Sequence, residues 1–239
     1  MSNPTAAMIV IGDEILSGRT RDSNMHHLAG ELTKVGIDLK EVRVVSDDHG
    51  AIIAAVQTLS SAYTHVFTSG GIGPTHDDIT ADCIAAAFNR DIDVRDDARE
   101  ILAEHYARAG TQMNDARLRM ARIPVGAALI ENPVSAAPGF VVENVNVMAG
   151  VPTVFQAMVA SVLPGLIGGQ PLISETLRID RGEGDIAGPL GALAEEYPHL
   201  SMGSYPFQKD GVFGAHVVIR GSDPGMVEAA MVKLKAAFA

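Results

Sequence analysis

From residue 7 to residue 88 strand-like runs, each stopped near a glycine or aspartate, alternate with apolar residues at helical spacing, and the first of them, Ala7 to Ile11, is apolar throughout. Such a run fits a strand buried on both faces. Strands of that kind alternating with amphipathic helices predict a mainly parallel sheet with right-handed crossovers and helices on both faces. Ala7 to Ile11 is the first run, closed by Gly12; Met25, Leu28, Ala29, Leu32 and Val35 form the helical stripe after it, and Gly36 stops that helix. Leu39 to Val45 predicts the second strand. Asp47 or Asp48 then caps a helix carrying Ile52, Ile53, Val56 and Leu59, and His65 to Ser69 predicts the third strand. Ile79, Cys83, Ile84, Ala87 and Phe88 mark the next helix.

Residues 96–122 are charge-rich and read as one or two helices broken near Gly110, an insertion or a cover over the sheet. Short apolar runs at 128–130, 140–142 and 145–149, divided by proline and glycine, predict further strands, and Thr153 to Leu166 returns to helix. The stretch LPGLIGGQP at 163–171 offers little to pack and is the expected linker. Residues 1–168 are thus expected to form one α/β domain and 169–239 a small α+β domain. In the latter, Ile173 to Ile179, Leu200 to Tyr205 and Val212 to Arg220 are strands. Ile186, Leu190, Leu193, Ala194 and Tyr197 share a helix face, and a last helix starts near Pro224. A unit that small is expected to lean on the first domain or on a second subunit.

Composition narrows the function. A net charge of −11, no tryptophan and no segregated basic face argue against a nucleic-acid partner. One cysteine, Cys83, is too few for a disulfide or a multi-cysteine zinc site. The N-terminal apolar run breaks at Gly12-Asp13-Glu14 and lacks a basic flank, so no signal peptide or membrane span is expected and the protein reads as cytoplasmic.

Chemistry concentrates at the predicted strand ends. Gly70, Gly71 and Gly73 lie between a strand and a helix, where backbone N–H groups can point at an anion and where open α/β sheets bind ligands. Asp77 and Asp78 follow; one can cap the next helix while the other faces the ligand. In a parallel sheet Asp13 with Glu14, Asp47 with Asp48 and Asp77 with Asp78 all come out on one edge. Like charges 4 Å apart cost about 4 kcal/mol per pair at an effective dielectric of 20. A divalent metal such as Mg²⁺, held by one or two carboxylates and by ligand phosphates, resolves that conflict. Asn24 either bonds a ligand or opens the helix after it. His26 and His27 read as exposed helix residues, and His76 as the histidine nearest the site. A nucleophile elbow and a Walker lysine are both missing, which disfavours serine-nucleophile and P-loop chemistry.

The motifs carry a resemblance. GDEILSGRTRDSN at 12–24, VVSDD at 44–48, SGGIGPTHDDIT at 69–80, APGF at 137–140 and AGVP at 149–152 resemble the molybdopterin-binding (MoaB/Mog-like) domain. More narrowly they resemble the short form of the competence/damage-inducible protein A (CinA) family. GGIGPTHDD is also similar to the corresponding domain of eukaryotic FAD synthases. The likeness spans about residues 5–167, and ISETLRI with MGSYPF resembles the second domain of CinA-type proteins. The short form implies no amidase domain, so nicotinamide-mononucleotide deamidation is not expected.

The resemblance implies a homo-oligomer, dimer or trimer, and a small-molecule ligand, either a pterin such as molybdopterin or a nucleotide diphosphate. By motif, Asp47 and Asp78 are the catalytic pair and Asp13, Asp47 and Asp78 the metal ligands. The expected ligand-binding set is Gly12, Asp13, Glu14, Asn24, Ser69, Gly70, Gly71, Gly73, Pro74, Thr75, His76, Asp77, Thr80, Pro138 and Gly139. The implied activity is metal-dependent hydrolysis of the pyrophosphate of ADP-ribose or FAD. The alternatives are molybdopterin binding or adenylylation, and a non-catalytic nucleotide- or pterin-binding module. One departure stands out: where many relatives carry an acidic residue after Pro-Gly-Val-Pro, Ala149-Gly150-Val151-Pro152 is followed here by Thr153 and Val154, and an acidic contact is lost.

Overall fold

The computed structural model describes residues 3–209 and 211–239. The chain separates into two compact units, divided between Gly169 and Gln170.

The first unit opens with β1 (Thr5–Ile11), α1 (Asp13–Leu16), α2 (Asn24–Lys34), β2 (Asp38–Val45), α3 (His49–Ala62), β3 (His65–Ser69) and α4 (Thr80–Ala87). It continues with β4 (Ile92–Val94), α5 (Asp96–Arg108), α6 (Asp115–Leu118), β5 (Arg122–Pro124), β6 (Ala128–Ile130), β7 (Gly139–Val142), β8 (Val145–Met148) and α7 (Pro152–Val162). The main sheet runs β2-β1-β3-β8-β7-β6. The first four strands are parallel; β7 runs against them, and β6, antiparallel to β7, runs with them again.

Why β1 is apolar at every position follows from its two faces. Ala7, Ile9 and Ile11 pack with Ile52, Val56 and Leu59 of α3, Cys83 and Ile84 of α4, and Ala98 and Leu102 of α5. The alternate residues Ala6, Met8 and Val10 pack with Leu28 and Leu32 of α2 and with Phe155 and Met158 of α7. Neither face meets water, so neither tolerates a polar residue. Each such large side chain contributes roughly 1.5–3 kcal/mol by leaving water. The charge-rich 96–122 segment is a cover over the first face. Its Ala98 and Leu102 point in, while Arg99–Asp96 and Arg108–Glu104 pair on the outside. Its two ends are tied by β4 and β5, an antiparallel ribbon that the sequence pattern did not predict.

The expected linker is a correction in part. Leu163 and Leu166 pack into the α2/α7 core, residues Leu163–Gly165 form a 3-10 turn, and the Gly169 N–H donates to the Val35 carbonyl at 3.1 Å. Only glycine fits at 168, where a Cβ would stand 2.5 Å from that same carbonyl oxygen. The stretch up to Gly169 therefore closes the first unit; its small residues are there for close approach to the backbone.

The second unit contains β9 (Ile173–Ile179), α8 (Glu183–Glu196), β10 (Ser201–Lys209), β11 (Val212–Gly221) and α9 (Pro224–Ala237). Its antiparallel sheet, ordered β10-β11-β9, packs Ala215, Val217 and Ile219 against Ile186 and Leu193 of α8 and Val227, Met231 and Leu234 of α9. Among the described residues no helix is long and apolar enough to cross a membrane.

Candidate functional site

The parallel register fixes where the site lies. Ile11 stands beside Val45, Val10 beside Ser69, and Ser69 beside Met148, so the segments after β1, β2, β3 and β8 leave the sheet on one edge. Hydrogen bonds across that edge continue the sheet by one step, with the Gly12 N–H donating to the Val45 carbonyl and the Gly70 N–H to the Met148 carbonyl, both at 3.1 Å.

After β2, the Asp48 carboxylate accepts the Ala51 N–H at 2.8 Å and caps α3, which leaves Asp47 free of that duty. Asp47 Oδ2 instead accepts the Asp13 N–H at 3.0 Å. Burial raises the Asp47 pKa above the usual carboxylate range. The Asp13 N–H pulls against that rise, and the negative charges of Asp13, Glu14 and Asp77 add to it.

After β3 the chain must turn within contact of its neighbours. A Cβ at Gly70 would sit 2.2 Å from the Ile11 carbonyl oxygen, and Gly71, at φ 70°, has the Thr80 hydroxyl 2.1 Å from where its Cβ would be. Thr80, fully buried, holds the turn from below: its hydroxyl donates to the Gly70 carbonyl at 3.0 Å and its N–H to the Gly71 carbonyl at 2.9 Å. Among the described residues the N–H groups of Gly71, Ile72 and Gly73 find no acceptor within the chain. They are three donors available to an anion.

Asp77 and Asp78 were expected to share capping and ligand duties, and neither caps α4. Ile79 occupies the cap position with no side-chain bond. Both carboxylates fold back on Thr75: Asp78 Oδ2 accepts its N–H at 2.8 Å, and its hydroxyl lies 2.6 Å from Asp78 Oδ2 and 2.5 Å from Asp77 Oδ1. That hydroxyl has a single proton, so it satisfies one carboxylate at a time. It lowers the pKa of the exposed Asp77, with the Asp77 N–H helping. Gly73 makes the fold-back possible, because a Cβ there would lie 2.6 Å from an Asp78 carboxylate oxygen. Gly12 stands in the same relation to the Glu14 carboxylate, also at 2.6 Å.

These pieces frame a cleft of about 530 Å³. Of the residues singled out in the sequence, Gly12, Glu14, Asp47, Gly70, Gly71, Gly73, Pro74, Asp77 and Asp78 line it. Other expected residues lie elsewhere. Asn24 is 3 % exposed, and its amide donates to Ser69 Oγ at 2.7 Å and to the Gly150 carbonyl at 2.8 Å, tying strand ends together. Ser69 and Thr80 are buried beneath the turn, Thr75 and His76 face solvent, and Asp13 acts through its backbone. Pro138 lines neighbouring hollows, and Gly139 is buried in β7, where a Cβ would meet the Val147 carbonyl oxygen at 2.4 Å. His26 is exposed and His27 half-buried.

Several wall residues escaped the sequence reading. Asn132, 6 % exposed, ties its own loop, donating to Ser135 Oγ and the Ala137 carbonyl and accepting from the Val134 and Ser135 N–H groups. The loop so formed gives the cleft Asn132, Ser135 and Ala137. The Asn132-Pro133 step was the available signal, since that dipeptide initiates turns. Ile72, Met120 and Val154 add apolar surface. None of the residues lining the cleft is a lysine, arginine or histidine. Among the described residues no three His, Cys, Asp or Glu side chains converge into a metal nest, so Asp13, Asp47 and Asp78 are not a pre-assembled ligand set. A second hollow of about 510 Å³, between α5 and residues 129–138, is lined by Glu104, Glu131, His105 and Arg108 and has none of the glycine donors.

Comparison with known proteins places these features. Residues 7–168 match the family described as "Probable molybdopterin binding domain", and residues 171–239 match "FAD synthase, middle domain". A "Probable FAD synthase" of Caenorhabditis elegans is 32% identical over 256 residues, covering 97% of this chain and 49% of that protein. The chain thus spans about half the length of that relative. A protein of Pyrobaculum calidifontis is 31% identical, with 97% of this chain and 94% of that protein aligned. Among solved structures, the protein CinA of unknown function from Thermoplasma acidophilum superposes with a TM-score of 0.63 at 32% identity, covering 69% of this chain and 98% of that one.

Proposed function

This chain belongs to the molybdopterin-binding domain family, and on that footing we propose that it is a metal-dependent hydrolase of a nucleotide pyrophosphate such as ADP-ribose or FAD. One observation carries the reading: Gly71, Ile72 and Gly73, whose backbone N–H groups have no acceptor among the described residues, and four carboxylates line one cleft whose lining has no cationic side chain. The donors suit a phosphate, and the carboxylates repel one. An all-oxygen set of this kind fits a hard cation such as Mg²⁺, shared between one or two carboxylates and the ligand's phosphates rather than caged by protein. When bound, that ion supplies charge neutralisation and a more acidic water.

The chain's own groups divide the remaining work. The Gly71–Gly73 turn holds a phosphate oxygen through its free N–H donors. Asp47, with its pKa raised by burial and by neighbouring acids, is the residue suited to take the proton of an attacking water. Water adds to one phosphorus, the bridging P–O bond breaks, and two monophosphates leave. Incubation of the purified protein with ADP-ribose and FAD in Mg²⁺, Mn²⁺ or Co²⁺ is expected to release AMP; no AMP under any of these conditions overturns the reading. The family match itself favours a second reading, molybdopterin binding or adenylylation, which an ATP-dependent adenylylated pterin would mark.

A further inference from the structure

The cleft lining supplies no cation, yet two arginines border a small space beside the turn. Gly71, Ile72, Gly73 and Asp78 also line a small space of about 20 Å³ that contains Arg119 and Arg122. Its volume admits about one water-sized atom. The two guanidinium groups differ. Arg122 is spent on the Asp82 carboxylate, at 2.6 Å. Arg119 has no carboxylate partner among the described residues; it makes a single bond of 3.3 Å from Nη2 to the main-chain carbonyl of Asp78, and its Nε is buried with no acceptor. A guanidinium offers five N–H donors, and buried donors are almost always satisfied. Leaving most of these unused next to three unused backbone N–H groups makes sense when a further acceptor arrives.

We propose that Arg119 is a phosphate-recognition residue. A phosphate seated on the Gly71–Gly73 N–H groups borders the same small space as the Arg119 guanidinium, and the free donors of Arg119 take up one of its oxygens there. Arg119 thereby provides the positive charge that the cleft lining lacks. A guanidinium suits this task because its fork matches phosphate geometry. The inference deepens the function proposed above and rests on it only in requiring a phosphate-bearing ligand.

The test is calorimetry of inorganic pyrophosphate with Mg²⁺, on the full chain and on Arg119→Gln and Arg119→Lys. Glutamine keeps a donor for the Asp78 carbonyl and removes the charge, so a merely structural brace would leave affinity unchanged. The expected result is at least a tenfold weaker Kd for Arg119→Gln, partial recovery in Arg119→Lys, and an unliganded thermal midpoint no lower than that of the unsubstituted protein. Equal affinity of Arg119→Gln and the unsubstituted chain overturns the proposal, as does failure of the unsubstituted chain to bind pyrophosphate. Arg119-dependent binding without AMP release sinks the hydrolytic reading alone. AMP release with an unchanged KM in Arg119→Gln sinks the arginine's role alone.

Discussion

The two carboxylate-bearing sides of the cleft are built on opposite principles. On the β2 side, Asp47 has one backbone N–H for support, is partly buried and lies among like charges. On the β3 side, Asp77 and Asp78 are gathered by Thr75 on a turn whose glycines leave room for them. One side holds its charge against resistance; the other has its charge satisfied in advance. The difference separates reactivity from positioning: a carboxylate with a raised pKa is available to take a proton, whereas one already bonded to a hydroxyl and an N–H is fixed in place.

The sharpest way to break this comparison is Asp47→Asn. If Asp47 is the base, the substitution keeps the shape and removes the function, and AMP release from ADP-ribose is expected to fall by about 10²–10⁴-fold in kcat. Asp78→Asn is expected to act more on KM, because Thr75 fixes the Asp78 carboxylate in the cleft wall as a positioning group. A larger loss of kcat in Asp78→Asn than in Asp47→Asn would invert the assignment. Next in size is Gly71→Ala, which places a methyl group against the Thr80 hydroxyl at a backbone conformation that L-residues avoid. A loss of roughly 3 kcal/mol in urea unfolding is expected, and Gly71→Ala with Thr80→Ser should lose nearly as much, since the hydroxyl remains.

The strand ends were legible because their signals are local. The apolar run that stops at Gly12 announces a strand buried on both faces, the alternating run before Ser46-Asp47 an edge strand, and parallel register then gathers the stops on one edge. What was not legible depends on distant partners. Asn24 reads equally as ligand contact or helix opener until Ser69 and Gly150 are seen to receive its amide, 45 and 126 residues away. Thr80 reads as a motif residue until its hydroxyl is found under the turn. The three-residue strands β4 and β5 are too short for any periodicity to show. The carboxylates of Asp77 and Asp78 escaped because the capping preference of Asp was outcompeted by Thr75, three positions before Asp78 and outside the helix.

Smaller in size is the effect of Asp47 on stability. Its folded pKa is raised, so the folded state holds the Asp47 proton more tightly than the unfolded chain does. Its contribution is favourable below the ordinary carboxylate pKa and is lost as pH rises through the raised value. At pH 7 without ligand, Asp47→Asn is therefore expected to raise the thermal midpoint by about 1–2 °C, and the gain should shrink to nothing when the scan is repeated in acid. Mg²⁺ should narrow the difference at pH 7 by stabilising only the unsubstituted protein. A variant that melts lower at pH 7 would mean that the Asp13 N–H bond outweighs the crowding.

The smallest effect tests the satisfied side. Thr75→Val is nearly isosteric and removes the one proton that Asp77 and Asp78 share, while keeping the N–H bond to Asp78 Oδ2. Asp77 owes its lowered pKa first to that hydroxyl, so its carboxyl-carbon titration, followed by NMR, should move back up toward the usual carboxylate range. Asp77 is also one of the charges that raise Asp47. A higher Asp77 pKa leaves it protonated in part at the pH where Asp47 titrates, so the Asp47 midpoint should drop slightly in the same spectra. Opposite movements of the two signals would show that the two sides of the cleft are coupled through charge across the ligand space. Movement of Asp77 alone would mean that the resistance at Asp47 comes from burial and from Asp13 and Glu14 on its own side.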